Sequence, residues 1–119
     1  VIESDNGAGK PLGLSAWVTP TSVERLRSLH EILLPLGAAV LRRSERTVGS
    51  DIDAWQLAGV PGFQLLVDGR TYFDYHHTAA DTLDKVDPKN LQRMVATLAV
   101  LSLYLTDTRT TLERVPVAQ

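Results

Sequence analysis

Apolar positions along the chain change their spacing several times, and each change marks an element. Val1 and Ile2 form an apolar pair that stops at Glu3, as at the end of a strand. Glu3 to Pro11 is polar, carries Gly7 and Gly9, and reads as a loop. Leu12 to Val18 is small and apolar, a short strand. Val23, Leu26, Leu29, Leu33 and Leu36 then recur at helical spacing. Thr21 is the expected N-cap, because Glu24 three residues on completes a capping box. Pro35 and Gly37 close that helix. Ala38 to Leu41 predicts a strand, Arg42 to Ser50 a loop, Asp51 to Leu57 a short helix and Gly59-Val60-Pro61-Gly62 a turn. Phe63, Leu65 and Val67 alternate, which predicts a strand with one buried face. After the turn at Asp68-Gly69, Thr71 to Tyr75 is aromatic and expected to be extended, leading into His76-His77-Thr78. The longest periodic run is the last: Leu91, Met94, Val95, Leu98, Leu101 and Leu105 make one apolar stripe. Asp87 caps it, Pro88 occupies its first turn, and it should end near Asp107 with a polar tail that frays.

Strands and helices alternate, so the fold class is α/β. No internal repeat, low-complexity tract or domain boundary interrupts the 119 residues. A chain of this length buries about two-thirds of its unfolded surface. Hydrophobic residues make up 44% and charged residues 22%, with a net charge of -2. That balance gives no clustered basic face, so neither nucleic acid nor an anionic membrane surface is an expected partner. No apolar run approaches the roughly 20 residues that span a bilayer. With no cysteine, a metal would have to be held by His, Asp or Glu. The only methionine is Met94. Together with the strand-end opening, it leads to the expectation that these residues are part of a longer protein.

The segment from Tyr72 to Thr82 (YFDYHHTAADT) concentrates the chemistry, holding two of the three histidines. It follows a strand, and in α/β sheets ligands gather at the carboxyl ends of strands. Asp5 also lies just past a strand end, so the two would meet if those strands lie side by side. Neighbours in an extended segment point to opposite sides, so at most one of His76 and His77 should face a given site. From residue type alone two readings stand: a loop with surface histidines, or one that presents an imidazole to a metal. Asp5 is likewise either a turn residue bonding its own backbone or a ligand, and Glu3 is a second candidate. Asp81 suits a supporting position behind His77 or a helix cap. Asp51 reads as a cap or a loop carboxylate. Tyr72 and Tyr75 pack the loop or line a pocket. Trp17 and Trp55 read as packing residues, and His30 as a partly exposed helix residue.

Glu3-Ser4-Asp5 before a glycine-containing loop, Gly49-Ser50-Asp51-Ile52 with Gly59-Val60-Pro61 downstream, the Tyr72 to Thr82 segment and Asp87-Pro88 together resemble the second half of the M28 metallopeptidases. The carboxypeptidase Q-like branch is the most similar. The resemblance covers nearly the whole chain, and His77-Thr78-x-x-Asp81-Thr82 is its most specific element. It implies that residues 1–119 are the C-terminal part of one catalytic domain, a three-layer αβα zinc exopeptidase fold of the phosphorylase/hydrolase-like kind. It further implies a co-catalytic pair of zinc ions held by a His, a bridging Asp, a Glu, a second Asp and a second His. The last two correspond to Asp5 and His77, one on each metal. His76 would then stand beside the ligands, and Asp81, Asp51, Tyr75 and His76 would support the site or line the substrate pocket.

The departures matter as much. The family's His-x-Asp and Glu-Glu pairs, which carry the remaining ligands and the general base, occur nowhere in this sequence. The resemblance therefore implies that an N-terminal half of the same domain supplies them. It also implies a peptide substrate, a second copy of the chain as an allowed partner because the family includes dimers, and a secreted or periplasmic location. By itself the chain should bind little zinc and cleave nothing. Three other functions compete with it: a receptor-like domain of the same fold, a single-zinc glutaminyl cyclase, and a small autonomous α/β binding domain. Asp5 and the His77 motif favour the hydrolase over the first, the pattern around Asp5 favours it over the second, and the strand-end opening opposes the third.

Overall fold

The computed structural model of the chain describes residues 1–107, 109 and 111–117. Four strands form one mixed sheet: β1 (Ile2–Glu3), β2 (Pro11–Trp17), β3 (Val40–Arg43) and β4 (Gly62–Val67). Their spatial order is β1-β4-β2-β3. β1 runs parallel to β4, β4 antiparallel to β2, and β2 parallel to β3. The helices are α1 (Pro20–Arg25), α2 (Arg27–Leu33), α3 (Asp53–Leu57), α4 (Tyr72–Tyr75) and α5 (Pro88–Thr106). Short 3-10 turns cover Leu34–Leu36 and Leu83–Lys85.

The register sorts the sheet into two chemically different faces. Leu14 pairs with Leu65 and Ala16 with Phe63, all four essentially buried. Leu26, Leu29 and Leu33 of the α1–α2 segment and Met94 and Leu101 of α5 complete this core. Fully burying side chains of this size contributes about 1.5–3 kcal/mol each. On the other face a polar row crosses three strands, with Glu3 opposite Gln64 and Gln64 opposite Ser15.

The segment between β3 and β4 is fastened by two polar anchors. The buried Glu3 carboxylate accepts hydrogen bonds from the backbone N–H groups of Ser50 (3.0 Å), Asp51 (2.8 Å) and Ile52 (3.2 Å). Gly49 permits this approach: its φ is +76°, and a Cβ there would stand 2.4 Å from Glu3 Oε2. Gln56, also buried, closes a ring with Val48, accepting from its N–H at 2.9 Å and donating to its carbonyl at 2.6 Å. These bonds satisfy polar groups that would otherwise be costly to bury.

Several local expectations change. The first helix starts two residues earlier, with Thr19 as N-cap: its hydroxyl accepts from the Ser22 N–H at 3.1 Å, and Pro20 takes the first helical position. Proline has no N–H to leave unsatisfied there, while Glu24 pairs with Arg27 instead. The apolar run is one segment in sequence but breaks at Leu26 (φ −90°, ψ −3°) into α1 and α2. On α5 the buried line is Met94, Thr97 and Leu101, whereas Leu91 and Val95 are largely exposed. Thr97 is tolerated inside because its hydroxyl donates to the Arg93 carbonyl at 2.8 Å. Trp17 is buried as a packing residue should be, but Trp55 is 60% exposed. Residues 111–117 of the tail bond back to the domain. Arg114 donates to the Ala58 carbonyl at 2.7 Å, and the Val115 N–H to that of Gly59 at 2.9 Å.

Two substitutions test these anchors. Glu3→Gln should lower the unfolding free energy by about 1.5–3 kcal/mol, the typical worth of hydrogen bonding to a charged group, in urea denaturation. Asp87→Ala, which removes the cap on the Asn90 N–H (2.7 Å), should cost about 1 kcal/mol in the same assay.

Candidate functional site

Because β1 and β4 are parallel neighbours, both finish at the same edge of the sheet. The loop after β1 carries Asp5, and the segment after β4 carries the histidines. Between them lies a cavity of about 450 Å³, lined by Asp5, Tyr75, His76, His77 and Asp81 among others. The topology thus brings the two candidate ligands, Asp5 and His77, to one place.

The two segments touch through an aromatic column. Gly7 has φ +81°, and a Cβ there would stand 2.9 Å from the ring of Tyr72. The absence of a side chain at Gly7 lets the Asp5 loop lie against that ring. Tyr72 stacks on His76 (centroids 4.5 Å, 29°), and His76 stacks on His77 (3.8 Å, 22°). Phe73 meets both Tyr72 and His76 edge-on. Such contacts contribute about 0.5–1.5 kcal/mol each beyond simple burial.

This geometry overturns the expectation of an extended Thr71–Tyr75 segment with histidines on opposite sides. Tyr72–Tyr75 is a helical turn, closed by the His76 N–H donating to the Tyr72 carbonyl at 2.9 Å. His77 then adopts φ +56°, the one non-glycine residue in the left-handed region among those described. That conformation turns its ring onto His76. It costs a residue with a Cβ about 1–2 kcal/mol, and such strain concentrates where a side chain must be aimed. Thr78 secures the turn, its hydroxyl donating to the Tyr75 carbonyl at 2.7 Å and accepting from the Ala80 N–H at 3.2 Å.

Asp81 lines the cavity, while the following 3-10 turn has Thr82 at its N-cap position. Asp51 is not among the residues lining this cavity; its backbone N–H donates to the Glu3 carboxylate at 2.8 Å. For the same reason Glu3 is no ligand candidate, being engaged by three N–H groups. Asp68, Lys85 and Asn90 also line the cavity, and no sequence pattern marks them. Each sits beside a turn or a helix start, where polar residues are common for other reasons.

The lining is acidic, with Asp5, Asp68, Asp81 and Asp87 against one ammonium, Lys85. Lys85 pairs with Asp84 and stands 5.7 Å from the centre of the Tyr75 ring. Hydrogen bonding within the pair holds the Asp84 carboxyl below its usual range and Lys85 above it. The Arg70 guanidinium and then its backbone N–H do the same to Asp68, which stays ionised. Among the described residues, neither the Asp5 carboxylate nor the His77 imidazole has a hydrogen-bond partner in the chain, and no three His, Asp or Glu side chains gather into a metal-holding group. A carboxylate oxygen and an imidazole nitrogen are donors that zinc accepts. The residues present therefore fit a zinc site as contributors to it.

Residues 5–102 match peptidase family M28. Carboxypeptidase Q of Homo sapiens is 39% identical over 119 aligned positions, covering 96% of this chain and 24% of that protein. Carboxypeptidase Q of Xenopus laevis is 32% identical over 114 positions, with the same coverage. The crystal structure of a peptidase M28 precursor from Shewanella amazonensis SB2B superposes with a TM-score of 0.81 at 33% identity, covering 99% of this chain and 26% of that one. The chain spans about a quarter of the length of these relatives. With an α/β fold, a mixed sheet and a family match over most of its residues, the chain belongs to peptidase family M28.

Proposed function

We propose that residues 1–119 are the C-terminal part of an M28 catalytic domain that hydrolyses peptide bonds near a chain terminus, and that Asp5 and His77 are ligands to its co-catalytic zinc pair. The observation that carries this reading is the meeting of Asp5 and His77 in one cavity at the adjacent ends of parallel β1 and β4. The name carboxypeptidase Q, borne by relatives up to 39% identical, supports exopeptidase chemistry.

When bound, zinc supplies Lewis acidity, which polarises a peptide carbonyl and makes water a competent nucleophile near neutral pH. The part of this chain is to hold and aim. Asp5 offers its carboxylate from a loop fixed by the Gly7–Tyr72 contact. His77 offers an imidazole whose orientation is set by its left-handed backbone and its stack on His76. Asp81 and Tyr75 form nearby walls against which substrate is placed. Taking the proton from water is the task of a general base, which the family places in its Glu-Glu pair and which this sequence lacks. A catalytic zinc takes about three protein ligands, and this chain offers one for each metal. The greater length of the relatives leaves room for an N-terminal half to supply the others. Secretion or periplasmic location belongs to the same reading; no described helix is long and apolar enough to cross a membrane.

Titrated alone with zinc in a calorimeter, the chain should show no stoichiometric, tightly held metal. A strong one-to-one site lost in His77→Ala would overturn the half-site reading. In the complete M28 protein carrying this chain, His77→Ala and Asp5→Ala should each reduce dipeptide hydrolysis by more than the roughly 100-fold that loss of a supporting residue costs. Asp81→Asn should fall within about 10–100-fold.

A further inference from the structure

Leu83 and Phe73 are the two most exposed large apolar side chains among the described residues, at 85% and 82%. Apolar groups scattered singly over a surface are ordinary. These two share a location, the rim of the Asp5–His77 cavity. Phe73 lies between Tyr72 and Tyr75, Leu83 between Asp81 and Lys85, and all four of those residues line the cavity. Neither Phe73 nor Leu83 lines it. A substrate seated in the cavity therefore does not account for them.

Ordered backbone holds both side chains out into water. Phe73 stands on the Tyr72–Tyr75 turn and meets the rings of Tyr72 and His76 edge-on, with centroids 5.0 and 5.9 Å away. Leu83 opens the 3-10 turn Leu83–Lys85, in which the Val86 N–H donates to the Leu83 carbonyl at 3.1 Å.

What comes to this rim follows from the metal chemistry. Asp5 and His77 offer one ligand to each zinc of the proposed pair, and the remaining ligands form bonds of about 2.0–2.2 Å. The segments that carry those ligands must stand within one side-chain length of the metals. The Phe73 ring meets His76, which is the neighbour of His77 both in sequence and in the ring stack. A part of the protein that reaches the metals therefore passes the same rim. The relatives have the length for it, since this chain covers 24% of carboxypeptidase Q of Homo sapiens. We propose that Phe73 and Leu83 are contact points on which the N-terminal half of the domain docks, beside the ligands that it supplies. The assignment rests on the half-site reading of Asp5 and His77. The facing surface is apolar, because covering such side chains is favourable only against groups that need no water.

The complete M28 protein that carries this chain serves for the test. Its Phe73→Cys and Leu83→Cys variants would be labelled with a maleimide, native and in urea, without substrate. The unsubstituted protein gives the background, to which residues 1–119 contribute no cysteine. Native labelling at both positions should be at least about 10-fold slower than in urea, and should stay so on dilution to nanomolar protein. Fast native labelling at either position overturns the proposal. Protection that vanishes on dilution assigns the rim to a second copy of the chain and overturns it equally. As an independent readout, Leu83→Lys should lower the Tm of the complete protein by several degrees, and the volume-conserving Leu83→Met by little. Equal Tm values in these two variants would also overturn it. Failure of the half-site reading shows separately, as a tight one-to-one zinc site on the chain alone.

Discussion

The arrangement depends first on one carboxylate. β1 has only two residues, too few hydrogen bonds to define where the chain goes next. Glu3 makes up for this by projecting onto the polar face of the sheet and binding three successive backbone N–H groups of the β3–β4 segment. A carboxylate meeting several N–H groups forms charge-assisted bonds roughly twice as strong as neutral ones. The bond set therefore determines the direction in which the chain leaves β1, and Asp5 lies two residues further on. Gly49 is the steric counterpart, since any side chain there would occupy the space of the carboxylate.

From that anchored start, the site follows from strand order. β1 and β4 lie side by side and run the same way, so loops distant in sequence emerge together. The contact between them is apolar and aromatic: Gly7 against Tyr72, Tyr72 on His76, His76 on His77. The conformational strain at His77 is maintained by this column and by the Thr78 hydrogen bonds. The electrostatic pattern is a consequence of the same packing. Aspartates gather where the loops converge, with Lys85 as their one ammonium.

Much of this was legible beforehand, for identifiable reasons. The alternation of Phe63, Leu65 and Val67 and the capped run from Asp87 each obey a single period over enough residues to identify their elements. Thr71 to Tyr75 misled because aromatic residues favour strands only when there is a neighbouring strand to pair with. β4 ends at Val67, and the five residues close into a turn instead. The α5 stripe was legible as a stripe, but not which edge of it would face the sheet. That orientation is set by where α2 and β2 approach it, leaving Leu91 and Val95 outside and Thr97 within. Asp51 enters the candidate site by its motif alone; it does not line the cavity, and its backbone N–H binds Glu3.

The sequence by itself determined the fold class and the main strands and helices, because periodicity is a local property, and its resemblance to a known family singled out Asp5 and His77. Only the tertiary structure decided that those residues share a cavity, that both histidine rings stack there, and that a second hollow, lined by Lys10 and Arg70 among others, adjoins it. The shared cavity and the adjoining hollow depend on contacts between segments some sixty or more residues apart, between the β1–β2 loop and the stretch that follows β4. Those contacts are set by strand order and by the way a few glycines and rings fit together, and neither is written in any local stretch of chain.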